Sequence, residues 1–236
     1  MTSILPKLSP RLKLLASKAR PNKIICDIGT DHAYLPAFLV NKGISPFAIA
    51  CDVKEGPLKR AENNINKFGV QDKVKLILSD GLERIEKTSF DDLIIAGMGG
   101  EQISDILSKA QWLKDGDRLL ILQPMTSAEE LKKYLYSNDY KITNEEIVRE
   151  GLRYYIVITA KAGANKGIKR VHLYFGKSLI ERNGSLEKQY LDRLIRKFTL
   201  ALKGIEKGRD EQKLSEIKDI LNQLLKVKES MQNGKG

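Results

Sequence analysis

The 236-residue chain is poor in the side chains that carry redox and metal chemistry, with two cysteines, Cys26 and Cys51, and two histidines, His32 and His172. Two cysteines make no disulfide framework, and neither residue type falls at a zinc-ligand spacing. Each cysteine stands one residue before an aspartate at the end of an apolar run, in IICD and AIACD. A small buried hydrophobe packs well there, so structural packing is expected in place of redox work. No metal site is expected. Long apolar runs are also missing. Nothing approaches the ~18 residues that suggest a membrane span, and Met1 to Arg20 lacks the continuous apolar stretch of a secretory signal. A cytoplasmic, monomeric protein without membrane association is the expectation. Hydrophobic residues still make up 42% of the chain, enough to fill a real core, which argues against intrinsic disorder.

What the chain has in excess is positive charge. Lys plus Arg number 41 against 30 Asp plus Glu, for a net charge of +11, a balance that favours polyanionic partners such as nucleic acid. The surplus is uneven. Residues 1–26 hold six basic and no acidic residues, residues 27–163 hold 18 basic and 21 acidic, and residues 164–236 hold 17 and 9. Two basic flanks therefore enclose a slightly acidic body, and the flanks are expected to lie on a nucleic-acid backbone.

Between Lys23 and about Gly163, short apolar runs (KIICDIG, FAIACDV, VKLILSD, DDLIIAGM, DRLLILQP and RYYIVITA) alternate with amphipathic stretches at Pro57 to Phe68, Gln102 to Lys109 and Ala128 to Tyr136. Strands alternating with crossover helices imply an α/β fold with a mostly parallel sheet covered on both faces. The last run is expected at the sheet edge, antiparallel to its neighbour. Beyond GANKG at residues 163–167, the expected hinge, the period changes. Leu191, Leu194, Phe198, Ala201 and Ile205 recur at helical spacing, as do Leu214, Ile217, Leu221 and Leu224, with Gly204 and Gly208 available for a turn between them. Two domains follow: residues 1–163, with a basic N-terminal helix, and residues 164–236, a C-terminal antiparallel coiled-coil helical hairpin.

In an open parallel sheet, ligands bind beyond the carboxyl ends of the strands. The first run leads into Asp27-Ile28-Gly29-Thr30-Asp31-His32. A dinucleotide site wants several glycines whose N–H groups approach a pyrophosphate. Here a single glycine stands between two carboxylates, which suit a positively charged ligand such as the ammonium and sulfonium of S-adenosylmethionine. The second run ends in Asp52, placed to accept hydrogen bonds from ribose hydroxyls. The third ends in Ser79-Asp80-Gly81, where Asp80 can accept from an adenine amino group and Gly81 lets the backbone come close. A single such carboxylate is as readily a helix N-cap; three in sequence order favour the cofactor. The fourth run ends in Gly97-Met98-Gly99-Gly100, a bare loop where a flat base or a transferable methyl group can approach. No Lys-Ser/Thr follows, so it is not a phosphate-binding Walker loop. Gln123 after the fifth run and Tyr154 at the start of the sixth complete the rim, with an amide and an aromatic face on which a base can stack.

In order, LSPRL (Leu8 to Leu12), DIGTDHAYLP (Asp27 to Pro36), SDGL (Ser79 to Leu82), IAGMGG (Ile95 to Gly100) and LILQP (Leu120 to Pro124) closely resemble the bacterial tRNA adenine-N1 methyltransferases that modify adenine 22. The resemblance covers roughly residues 8–163; the hairpin matches only in helical character, and Met125 stands where the family often has Asn. It implies a Rossmann-like class I methyltransferase fold, S-adenosylmethionine as methyl donor and tRNA as substrate. Carried over by position, Asp27, Gly29, Asp52, Asp80 and Gly81 are implied as cofactor contacts, and Gly97 to Gly100 with Gln123 as the reaction rim.

Adenine N1 carries an in-plane lone pair and needs no strong base, while its methylated product is cationic. Catalysis then rests on alignment and on a carboxylate that favours charge on the base. Asp31 is the expected carboxylate, with orientation of the cofactor as its alternative role, and His32 stacks or donates beside it or is structural. Because N1 lies on the pairing edge, the adenine must be unpaired or flipped out, with Tyr154 as a stacking partner. Two rival readings are a noncatalytic RNA-binding protein on a degenerate methyltransferase fold and a methyltransferase for another substrate.

Overall fold

A computed structural model describes residues 5–205 and 210–234. The chain divides into two compact units, Met1–Asn144 with Val148–Asn165, and Glu145–Ile147 with Lys166–Gly236. The residues expected as a hinge, 163–167, straddle this division.

In the first unit, α1 (Pro10–Lys18) precedes β1 (Ile25–Ile28), α2 (Tyr34–Asn41), β2 (Ala48–Asp52), α3 (Glu55–Lys67), β3 (Val74–Leu78), β4 (Asp92–Gly99), α4 (Gly100–Ser108), β5 (Leu119–Thr126), α5 (Ala128–Ser137), β6 (Tyr140–Glu150) and β7 (Arg153–Ala162). The seven strands form one sheet in the order β3-β2-β1-β4-β5-β7-β6. Strands β1 to β5 run parallel, and β7 pairs antiparallel with β5 through Leu122↔Ile158 and Leu120↔Ala160. The fold is thus the expected Rossmann-like methyltransferase type. Strand order reverses between β1 and β4, and such a switch point opens a crevice at the strands' carboxyl ends.

The central strands are apolar and covered, with Ile25, Ile94 and Ile121 fully buried, as a parallel sheet with helices on both faces requires. Cys26 and Cys51 are buried in β1 and β2, and burial pushes the Cys51 thiol up to about 12 and Cys26 well above its usual range. Both are inert packing groups. The run RYYIVITA is antiparallel, but it is not the edge. The edge is β6, whose YKITNEEIVRE sequence contains no continuous apolar run to reveal it.

The sheet is clamped at its lower end, where the strands begin. Asp92, at the start of β4, is fully buried and accepts hydrogen bonds from Arg20 N (2.9 Å) and Arg20 Nε (2.7 Å). The same guanidinium reaches Asp117 Oδ2 at 2.5 Å. Acidic residues at the start of the apolar runs thus fix the basic N-terminal segment to the sheet.

In the second unit, α6 (Lys177–Arg182) leads into α7 (Ser185–Ile205) and α8 (Glu211–Gln232). Asn183 Nδ2 donates to Met231 O (3.0 Å), and Lys228 pairs with Asp192 (2.8 Å), so the start of α7 meets the end of α8 and the two helices run antiparallel. The buried seam is Leu191, Leu194 and Phe198 against Ile220, Leu224 and Met231. Leu214, Ile217 and Leu221, expected in that seam, are only half-buried. Gly204 lies within α7, and Gly208, expected in the turn, lies outside the described residues. Among the described residues no helix is long and apolar enough to cross a membrane.

Candidate active site

A cavity of about 330 Å³ opens at the carboxyl end of β1, lined in part by Arg11, Asp27, Gly29, Asp31, His32 and Gly97. Three of these, Gly29, Asp31 and His32, sit on the β1–α2 turn. Gly29 adopts φ +78°, and its N–H and that of Thr30 donate to Cys51 O at 2.8 and 3.0 Å, curling the turn back over β2. A Cβ on Gly29 would come within 2.1 Å of Met98 Cε, a flexible side-chain end that can move aside, so it is the backbone conformation that calls for glycine.

Asp27, the penultimate residue of β1, is 7% exposed. Burial pushes its carboxyl up to about 7, and a hydrogen bond from Thr30 offsets part of that rise. It has no lysine or arginine partner among the described residues. A buried carboxylate left without a cation at a cavity wall is matched to a ligand that brings the positive charge itself.

Asp31 is exposed and already held from two sides. Arg60 of α3 donates to Oδ1 through both Nη2 and Nε, and His32 Nε2 lies 3.2 Å from Oδ2. His32 in turn stacks on Tyr34, with ring centroids 5.2 Å apart. The carboxylate is thereby oriented.

Across the cavity, β4 carries a bulge. The β4–β5 register shifts at Ala96, Met98 and Gly99, which leaves Gly97 unpaired at φ +82°. Its N–H donates to Gln123 Oε1 at 3.2 Å. Gln123 is fully buried and also accepts from Arg11 Nη1 (2.6 Å), while its own Nε2 donates to Pro124 O (2.8 Å). It therefore works from behind the rim by fixing Arg11 and the Gly97 backbone. Gly99 caps α4, and a Cβ on Gly100 would meet Ser127 O at 2.0 Å, so this glycine serves close packing of the β5–α5 turn.

Arg11 was not expected at the site. Ser9 caps α1, Pro10 occupies its first turn, and Glu150 Oε1 accepts from Ser9 Oγ (2.6 Å) and Arg11 N (2.5 Å). This anchoring delivers the Arg11 guanidinium to the cavity wall, 5.5 Å from the centroid of the Tyr155 ring. The signal was present in LSPRL, but a basic residue on an amphipathic helix reads as solvated. Tyr154 points to the opposite face from Tyr155, as neighbours on a strand must, and lies under Arg149 at 5.8 Å.

The remaining residues named from sequence lie elsewhere along the strand ends. Asp52, half-buried, accepts from Lys54 N at 2.9 Å. Asp80 and Gly81 line a separate cavity of about 230 Å³ with Ile106, Lys109 and Trp112. Gly81 adopts φ +53°, with Ile106 Cγ2 3.2 Å from where a Cβ would stand.

The Methyltransferase domain family matches residues 8–158. Together with the reversed strand order and the acidic cavity at the switch point, this defines the first unit as a methyltransferase domain. The tRNA (adenine(22)-N(1))-methyltransferase of Bacillus subtilis is 37% identical over 157 residues, which span 66% of this chain and 66% of that protein. The crystal structure of the B. subtilis M1A22 tRNA methyltransferase TrmK superposes with a TM-score of 0.87 at 31% identity, covering 94% of this chain and 99% of that one. M. capricolum TrmK in complex with S-adenosyl-homocysteine gives 0.80 at 30% identity, covering 95% and 99%. The chain belongs to the TrmK family of tRNA methyltransferases.

Proposed function

We propose that this protein transfers a methyl group from S-adenosylmethionine to N1 of adenine 22 in tRNA, acting as a monomer in the cytoplasm. The observation that carries this reading is Asp27, a buried carboxylate without a lysine or arginine partner among the described residues, facing a cavity whose other wall is the bare Gly97 bulge. The name of the B. subtilis relative supports the nucleotide and its position, and two buried, unpaired thiols fit a reducing compartment.

The residues present suit this cofactor. Asp27 and the Gly29 turn would hold its cationic methionine end, Asp52 its ribose, and Asp80 with Gly81 its adenine. When bound, S-adenosylmethionine supplies an electrophilic methyl group on a cationic sulfur.

The chain's own residues then have three tasks. Gly97 presents backbone without a side chain, so the target base can approach closely. Gln123 keeps that backbone and Arg11 in place. Asp31, oriented by Arg60 and His32, supplies a negative group near a base that becomes cationic on methylation. No general base is required at neutral N1, whose in-plane lone pair is already nucleophilic. Lys and Arg on α1 and on the α7–α8 pair would grip the tRNA backbone, giving an affinity that falls with salt.

Calorimetry with S-adenosylmethionine and methyl transfer to unmodified tRNA, followed by mapping of the modified nucleotide, tests the reading. Cofactor binding with a single N1-methylated adenine at position 22 is expected. Cofactor binding without transfer to any tRNA would defeat it. Asp31→Ala should lose most methyl transfer while keeping cofactor affinity near wild type, and near-full transfer would remove Asp31 from the mechanism.

A further inference from the structure

At the carboxyl-end rim of the sheet, a two-residue turn, Gly151-Leu152, joins β6 to β7. Leu152 is 81% exposed, more than any other large hydrophobic residue described. A lone exposed leucine is ordinary; the frame around this one is not. Gly151 takes φ +59°, and Arg149 folds over the turn, donating from Nε to Gly151 O at 2.8 Å while its guanidinium lies 5.8 Å above the Tyr154 ring. Glu150, two residues before Leu152, ties the turn to α1 through Ser9 Oγ and Arg11 N. The hairpin tip is thus a stiffened projection, joined by one carboxylate to the arginine on the cavity wall.

Its charge is equally one-sided. Arg149 and Arg153 are exposed on either side of Leu152, and Arg153 pairs with no carboxylate among the described residues. As the first residue of β7, Arg153 shares a strand face with Tyr155, which lies under Arg11. Glu150, the one acid in the turn, is committed to α1. The tip therefore offers an apolar point between two cations, beside a cavity whose substrate base must leave its stack. Proteins that kink or open nucleic acid insert such apolar wedges between bases while cations hold the flanking phosphates.

We propose that the β6–β7 tip is the base-displacing finger of this enzyme: Leu152 fills the stack where the target adenine leaves, and Arg149 and Arg153 hold the phosphates on either side. This rests on the tRNA reading above and adds the element that exposes the base.

The test uses the full chain and a folded tRNA carrying 2-aminopurine at the target position, whose fluorescence rises on unstacking, alongside transfer kinetics on unmodified tRNA. Leu152→Ala should lower kcat by roughly tenfold and remove most of the fluorescence rise, with tRNA Kd changed less than about threefold. Leu152→Met should restore both. Arg153→Ala should instead raise Kd and make its salt dependence shallower by about one unit of slope. Because the tip is solvent-exposed, an unchanged Tm is expected for each variant. Wild-type transfer matched within twofold by Leu152→Ala, with the fluorescence rise intact, would overturn the finger alone. Absence of transfer by the wild type would overturn the tRNA reading itself.

Discussion

Asp27 and Asp92 are buried carboxylates on neighbouring strands, β1 and β4, at opposite ends of the sheet. Asp92, where the strands begin, is saturated by the backbone and guanidinium of Arg20. Asp27, where they end, has among the described residues only Thr30 and an open cavity. One end of the sheet supplies its own cation and is finished as structure. The other leaves a buried carboxylate facing a cavity, which on the proposed reading is completed by the cofactor's ammonium. Burial alone does not distinguish them; the presence of an internal partner does.

The largest effect should come from breaking the completed end. Arg20→Ala leaves Asp92 buried and unpaired, a loss of about 3–5 kcal/mol. At this chain length each kcal/mol shifts Tm by roughly 2–4 °C, so a fall on the order of 10 °C is expected by calorimetry, with cofactor affinity of the remaining folded protein intact. An unchanged Tm would mean that Asp92 is not held by this pair.

Asp27→Asn should do the reverse. Cofactor affinity is expected to fall on the order of 100-fold through loss of the charge facing the methionine ammonium. Stability of the ligand-free protein should rise at pH 8. With its folded pKa raised to about 7 from 3.8, Asp27 destabilises the native state progressively as pH rises from about 4 to 7, by at most roughly 4 kcal/mol. Urea melts at pH 5 and pH 8 check this: wild type should lose stability across that interval relative to Asp27→Asn. The same carboxyl must be ionised to receive a cation, so wild-type cofactor affinity should weaken by up to about tenfold for each pH unit below 7. The variant should lose that dependence, and a parallel slope in both proteins would refute the assignment.

A smaller change tests the shape of the open end. Gly97→Ala places a Cβ at φ +82° with only Arg11 Nη1 nearby, at 3.8 Å. Stability should drop by roughly 1 kcal/mol, while methyl transfer falls much more, since the bulge no longer offers bare backbone. Equal, small losses in both measurements would make the bulge merely structural.

Much of this contrast was readable beforehand, because parallel strands write themselves as apolar runs and their acidic ends stand out against them. Asp27, Gly29, Asp31, His32 and Gly97 do meet in one cavity. Asp92 was hidden, since an aspartate beginning a strand resembles any turn residue until Arg20 is brought to it across more than seventy positions. Arg11 was hidden for the same reason in reverse. Strand β6 is not marked by a run of apolar residues, because its buried positions include Glu145. Which of Tyr154 and Tyr155 shares a face with Arg11 depends on a strand parity that only the β5–β7 pairing fixes. Helix α2 was missed because YLPAFLVN is apolar on nearly every side and shows no amphipathic period.

The finest test separates two partners of a single arginine. Arg20 joins Asp92, which is fully buried, and Asp117, which is 70% exposed. Asp117 also receives Lys161 Nζ at 2.7 Å, and both cations hold its carboxyl below the usual range. If burial sets the strength of the lower clamp, Asp117→Asn should cost at most about 1 kcal/mol, because water and salt screen an exposed pair. Its effect should shrink further in 0.5 M NaCl, whereas that of Arg20→Ala should persist. A loss at Asp117 as large as that at Arg20 would show that the clamp works as a surface network, and the distinction between a closed and an open end of the sheet would then rest on Asp27 alone.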